Sequence, residues 1–313
     1  GGGGLLGRRR GRAGGVGEGG EVEGARKRGG TAGRGVTRNV AGGETLGSDG
    51  ESGCGKSTRA RMLVGLDRPT RGEIRLDGED LSASGTKALA RRVQYVFQDP
   101  VSSLNPRQTI REILEAPMRH LLGLGRAERE ARLAKLIDDV NLRPEFLERY
   151  PHEVSGGQAQ RIGIARALAA DPDVVVLDEP VSDLDVSGQA QVLNLLDRLK
   201  RERGLTYVFI SHDLGVVEHM SGRVAIMYLG RIVELAPAET LFESPNHPYT
   251  QGLLAGIPRI DRRQQLYAAL DGEIASPLNP PPGCHFHPRC PYVTARCRER
   301  GPPLDRARPP GHP

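Results

Sequence analysis

The spacing of apolar and polar positions changes along this chain, and each change marks an element. Val174-Val175-Val176-Leu177 is an unbroken apolar run, the pattern of a parallel strand buried on both faces. With it, strands are predicted near 174–177, 206–210 and 223–228, with helices between them. Ile74 and Leu76 alternate with polar neighbours ahead of Asp77-Gly78, which reads as a strand and a turn. Between Gln98 and Gly157 the period becomes helical. Ile110, Ile113 and Leu114 form one apolar face, and Leu133, Leu136, Ile137 and Val140 form another. A further helix is predicted from Ser57 to about Leu66. Beyond Ile232 the chain turns Pro-rich and is expected to be extended. Strands alternating with helices give an α/β class with a parallel sheet.

The N-terminal part breaks this order. Residues 1–40 hold sixteen Gly and no aromatic residue. Such a segment buries too little apolar surface to offset its ordering entropy, so it is expected to be disordered. The segment that enters the glycine-rich stretch reads Leu46-Gly47-Ser48-Asp49-Gly50 where an apolar strand is expected. An unpaired Asp49 in a central strand would cost several kcal/mol. The first methionine is Met62, so the sequence reads as a fragment or a conceptual translation, and Gly- and Arg-rich text in place of a strand region reads as a reading-frame error or a degraded gene start.

The chemistry begins at Gly50-Glu51-Ser52-Gly53-Cys54-Gly55-Lys56-Ser57-Thr58, which fits the phosphate-loop pattern GxxxxGK[ST]. Its glycines let successive backbone N–H groups point inward at a phosphate chain. Lys56 reaches the β- and γ-phosphates, and the Ser57 hydroxyl is a ligand for Mg²⁺, with Thr58 as a second hydroxyl. The helix that follows adds its positive dipole end. Asp178 and Glu179 close the apolar run at 174–177, at the strand end where ligands sit in open α/β sheets. Asp178 is assigned to the metal and Glu179 to the attacking water.

Three further stretches narrow the class. Val154-Ser155-Gly156-Gly157-Gln158 opens a helix whose N–H groups form a second anion surface, although Ser is also an ordinary N-cap. Gln98, after Val96-Phe97, places an amide within reach of the metal or the water. His212 ends the β-rich stretch at 206–210.

Taken together, these residues resemble the ATP-binding cassette of ABC proteins. Phosphate loop, Gln98, Ser155-Gly156-Gly157-Gln158, Asp178-Glu179, the turn Ser182-Asp183-Leu184-Asp185 and His212 occur in the family's order. Asn105-Pro106-Arg107, Arg149-Tyr150-Pro151-His152-Glu153, His247-Pro248-Tyr249 and the tail from Ser276 to Pro291 look like the ATPase subunits of bacterial oligopeptide/dipeptide importers. Nickel importers share much of this pattern. The resemblance implies a P-loop NTPase fold with a RecA-like core. It divides the chain into an aberrant 1–40, an ABC ATPase domain at 41–235 with a helical subdomain at about 99–170, and a Pro- and Cys-containing extension at 236–313. It implies ATP and Mg²⁺ as cofactors, with Ser57, Gln98 and Asp178 on the metal. Glu179, His212 and Gln98 would be catalytic, His212 through the γ-phosphate. Ser155, Gly156, Gly157 and Gln158 would close in trans over ATP on a second ATPase subunit, a copy or a paralogue, and Asp185 would join the two sites. Two integral-membrane permeases and an external solute-binding protein complete the expected assembly, with this chain peripheral on the cytoplasmic face of the inner membrane.

Charge and cysteine content adjust this picture. The formal net charge is +5, but residues 1–40 carry eight Arg and one Lys against three Glu. The remaining body is nearly neutral, so no nucleic-acid footprint is implied. No apolar run approaches the roughly 20 residues that span a bilayer, and no signal peptide is visible. Cys284, Cys290 and Cys297 lie close together beside His285 and His287, a set that would accept Zn²⁺ or an iron–sulfur cluster or be free thiols in a Pro-rich tail. Two other functional classes remain open at this stage. One is a soluble, non-transport ABC ATPase. The other is a catalytically impaired subunit, suggested by Ser48, Asp49, the missing adenine-stacking aromatic, and Ala159 where the family usually has Arg.

Overall fold

The computed structural model describes residues 39–80, 85–256, 270 and 272–301, together with the backbone of 26–27 and 30–31. The expectation of disorder for 1–40 therefore falls almost wholly outside the described residues. Two two-residue strands, β1 (Arg26–Lys27) and β2 (Gly30–Thr31), pair antiparallel. Then come β3 (Thr45–Asp49), α1 (Lys56–Leu63), the small hairpin β4 (Arg75–Leu76) and β5 (Glu79–Asp80), α2 (Thr86–Arg92) and β6 (Val93–Val96). The helical stretch contains α3 (Ile110–His120), α4 (Arg126–Asp139) and α5 (Gly156–Ala169). The α/β order resumes with β7 (Val174–Asp178), α6 (Val186–Arg203), β8 (Thr206–Ile210), α7 (Leu214–Met220), β9 (Arg223–Tyr228) and β10 (Arg231–Pro237). Beyond the sheet come α8 (Ala238–Glu243), α9 (Pro248–Ala255) and α10 (Ala295–Glu299).

Six strands form one sheet in the order β10-β9-β3-β8-β7-β6. All neighbours are parallel except β10, which returns antiparallel along β9. A strand stands where one is expected ahead of the glycine-rich loop, although its residues are largely not apolar. β3 is a fully buried central strand, with Ser48 opposite Ile210 on one side and Ala225 on the other. Flanking apolar strands supply what its own sequence lacks. Gly47 is what lets α7 approach, because a Cβ there would stand 2.4 Å from Ser221 Oγ and 2.8 Å from Val217 Cγ1.

The main core joins the helical stretch to one face of the sheet. Ile110, Leu114 and Met118 of α3 meet Leu133, Leu136 and Ile137 of α4 and Ile162 and Leu168 of α5. These residues stand at the helical spacing that the sequence displays. Past Ile232 the chain is not simply extended. α8 and α9 pack Leu241, Phe242, Tyr249 and Leu254 with Phe286 against Tyr228 and Val217. No helix among the described residues is long and apolar enough to cross a membrane.

Candidate active site

Parallel strands that end at one edge of the sheet bring the chemistry together. β3 leads into residues 50–58, β6 into Gln98, β7 into Asp178 and Glu179, and β8 into His212. Gly50 has φ +153°, and a Cβ on it would lie 2.1 Å from the Met227 carbonyl oxygen. The loop therefore turns against β9 in a way that only glycine permits. It is tied there by the Gly230 N–H, which donates to the Cys54 carbonyl at 2.9 Å. Cys54 itself is buried with Met227 and Ile232, so its thiol is a packing group, and burial pushes it above the usual thiol range.

Lys56 is buried, and its ammonium donates to the carbonyls of Gly50 and Glu51. Ser57 Oγ donates to Asp178 Oδ1 at 3.2 Å, linking the two proposed metal ligands directly. The other carboxylate oxygen, Asp178 Oδ2, accepts from Tyr95 Oη at 2.5 Å. Burial and then this bond push the Tyr95 phenol well above its ordinary range, so it remains a donor. Tyr95 fixes the carboxylate, yet sequence reading missed it, because it occupies an ordinary apolar position of β6.

Glu179 sits in the left-handed region, φ +48°, a conformation that costs a non-glycine residue free energy and clusters at functional sites. Its N–H is held by the Ile210 carbonyl at 2.9 Å. The carboxylate oxygen Oε2 lies 3.1 Å from both Gln98 Nε2 and His212 Nδ1. Two groups that lie far from it in sequence thus converge on one oxygen of Glu179, with His212 largely exposed and Glu179 mostly covered.

Ser155 and its neighbours stand apart from this cluster. Ser155 caps α5 in a reciprocal box: its Oγ accepts from Gln158 N at 3.4 Å, and Gln158 Oε1 accepts from Ser155 N at 2.9 Å. Gly156 and Gly157 follow, and all four residues line a separate cavity of about 940 Å³ together with Asp183, Leu184 and Asp185. That lining includes none of residues 50–58, nor Gln98, Asp178, Glu179 or His212. Asp185 Oδ1 accepts from Gly188 N at 2.6 Å and so caps α6. Ala159 is fully buried within α5.

One expectation needs correction, and one pair of alternatives narrows. Asp49 is buried, but it is not unpaired, since its Oδ1 accepts from Gly50 N at 2.5 Å. Burial nevertheless pushes its carboxyl up from the ordinary range. The cysteines at 284, 290 and 297 are free thiols. Among the described residues, no group of three or more His, Cys, Asp or Glu side chains is placed to hold a metal ion. Cys284 Sγ is instead half-buried beside the Phe286 cluster, and Cys297 Sγ lies 3.3 Å from the Thr294 hydroxyl.

A phosphate loop joined to a carboxylate pair, a glutamine and a histidine at one sheet edge defines a nucleotide-hydrolysing P-loop ATPase. The ABC transporter family matches residues 34–182, and the oligopeptide/dipeptide transporter C-terminal region matches 233–297. A probable peptide ABC transporter ATP-binding protein of Sinorhizobium fredii is 52% identical, over 86% of this chain and 77% of that protein. The dipeptide transport ATP-binding protein of Haemophilus influenzae is 51% identical, over 87% and 84% of the two chains. An oligopeptide transport ATP-binding protein of Bacillus subtilis is 48% identical, over 88% and 86%. Among solved structures, an ATP-binding cassette dimer in a post-hydrolysis state with ADP and Pi superposes with TM-score 0.64 at 29% identity. It covers 70% of this chain and 97% of that one. The chain belongs to the ATP-binding subunits of ABC transporters, in the branch that carries the oligopeptide/dipeptide transporter C-terminal region, and its class hydrolyses ATP.

Proposed function

We propose that this chain binds and hydrolyses MgATP to power import of oligopeptides or dipeptides across the inner membrane, from the cytoplasmic face. The observation that carries the chemical part is the convergence of Gln98 and His212 on Glu179 Oε2, beside the Ser57–Asp178 pair. Residues 50–58 would cradle the phosphates through backbone N–H groups, and Lys56 would leave its carbonyls for the β- and γ-oxygens. Ser57, Asp178 and Gln98 would hold Mg²⁺, which supplies charge neutralisation at the transferring phosphoryl group. Glu179, oriented by its two neighbours, would accept a proton from water, and His212 would face the γ-phosphate.

The placement of Ser155, Gly156, Gly157 and Asp185 in a cavity without phosphate-loop residues supports a composite site. Each cassette would contribute its phosphate loop to one ATP and its Ser155 helix to the other, in a dimer with a copy or a paralogue. The peptide cargo rests on the C-terminal match and on the peptide transport names of the relatives. Two permeases and an external binding protein would complete the importer. The same C-terminal match weighs against a soluble non-transport ATPase. The reading is tested by ATP turnover of the purified chain, alone and with its partner cassette, against Lys56→Ala. Removing the ammonium from the cradle should abolish tight ATP binding, and unchanged affinity would show that the loop is not the site.

A further inference from the structure

The phosphate loop is gripped from outside the cassette. Glu51, its second residue, donates its backbone N–H to Tyr249 Oη at 2.9 Å. The Glu51 carboxylate meets the Arg289 guanidinium as a fork, with Nη1 3.2 and 2.9 Å from its two oxygens and Nη2 3.2 Å from one of them. Both partners belong to the part of the chain matched by the C-terminal region at 233–297, not by the cassette at 34–182.

Neither partner is a loose surface group. The Arg289 side chain is 5% exposed and Glu51 is 21% exposed. The guanidinium also stacks over Tyr228, 5.9 Å from the ring centroid. Tyr249 is fully buried, with its ring 4.7 Å from Tyr228 and 5.4 Å from Phe286. His247 caps α9 by accepting the Tyr249 N–H at 3.1 Å on Nδ1, and burial pulls its imidazole down to about 4, so it stays neutral and able to accept. A bidentate and largely covered Arg–carboxylate pair fixes direction as well as distance. It therefore constrains the backbone at Glu51, whose neighbouring carbonyls at Gly50 and Glu51 receive the Lys56 ammonium.

We infer that Arg289 and Tyr249 are positioning residues for ATP binding, holding the first turn of the phosphate loop through Glu51. The C-terminal extension is then part of the nucleotide site without touching the nucleotide. The inference rests on the reading of residues 50–58 as the phosphate cradle, which the Lys56→Ala arm tests separately.

The test is ATP affinity and steady-state turnover of the full-length chain, with melting temperature measured alongside. Arg289→Ala and Glu51→Gln should each weaken ATP binding by roughly three- to thirtyfold, the range for a residue that biases a bound conformation without contacting ligand. The loss should appear in KM more than in kcat. The double variant should bind no worse than the weaker single one, because both remove the same pair. Exchanging the charges, Glu51→Arg with Arg289→Glu, should recover part of the affinity. Arg289→Lys, which keeps the charge and stem but loses the fork, should fall between and serves if the alanine variant fails to fold. Additive losses in the double variant, or unchanged affinity in a folded Glu51→Gln protein, would overturn the inference. If Lys56→Ala also left affinity unchanged, the fault would lie with the cradle itself, and the inference would fall with it.

Discussion

Asp49 places an acid in the middle of a buried parallel sheet, one residue before the loop that must bind an anion. Burial raises its carboxyl above the ordinary 3.8, against the opposing effects of the Gly50 N–H and the nearby Lys56 charge. The sign of the linkage follows. Below about pH 3.8 the acid is neutral in both folded and unfolded chains and costs nothing. As pH rises from there through the raised folded value, the unfolded chain ionises first and stability falls. Asp49→Asn keeps an oxygen for the Gly50 N–H and removes the charge. It should raise the melting temperature at pH 7–8, and the gain should shrink as the pH approaches 4. An equal gain at every pH would locate the cost in shape rather than in charge. At Glu179 the expectation is kinetic. Glu179→Gln should keep ATP binding, because the amide still meets Gln98 and His212, while turnover drops by ~10²–10⁴ through loss of the base. Near-normal turnover in single-turnover and steady-state assays would remove Glu179 from that role.

Among the elements, α3 shows how local the helical signals are. Thr109 Oγ1 accepts from Glu112 N at 3.3 Å and Glu112 Oε2 accepts from Thr109 N at 2.9 Å, a reciprocal cap. Thr109→Ala should cost ~1 kcal/mol in denaturant unfolding and leave ATP affinity alone, since Thr109 bonds to Glu112 of its own helix and to no residue of the candidate site. Such helices were legible in the sequence, as were β7, β8 and β9, because apolar spacing and cap residues act over a few positions. β3 was not. Gly47, Ser48 and Asp49 carry no strand signal of their own, and the element exists because β8 and β9 stand on either side. α8 and α9 were also missed, being short and set among prolines, with the entry of α9 made by the unobvious pair His247–Pro248. Of the candidate site, motif spacing singles out Lys56, Ser57, Gln98, Asp178, Glu179 and His212, and the structure gathers them at one edge of the sheet. The Tyr95–Asp178 bond and the Arg289–Glu51 fork were not legible, since the latter joins residues 238 positions apart.

At the scale of the whole molecule, the phosphate loop and the Ser155 helix occupy different places on one chain, as the proposed composite site requires. If the chain pairs with itself, mixing Lys56→Ala with Ser155→Arg protein should restore activity that neither has alone. Random pairing would leave about half of the dimers with one intact site. No recovery on mixing, with both variants folded, would point to a paralogue as the partner. The position of β3 in the sheet has a further consequence, for the making of the protein rather than its working. Its pairing partners, reaching Ile210 and Ile226, leave the ribosome long after Asp49 does. At about 5–20 residues per second, the strand that launches the phosphate loop waits roughly ten to thirty seconds with both edges open. Nascent chains halted before β8 emerges should therefore be protease-sensitive at 45–58 and unable to retain ATP, while release of the full chain should protect both strand and loop in a single late step.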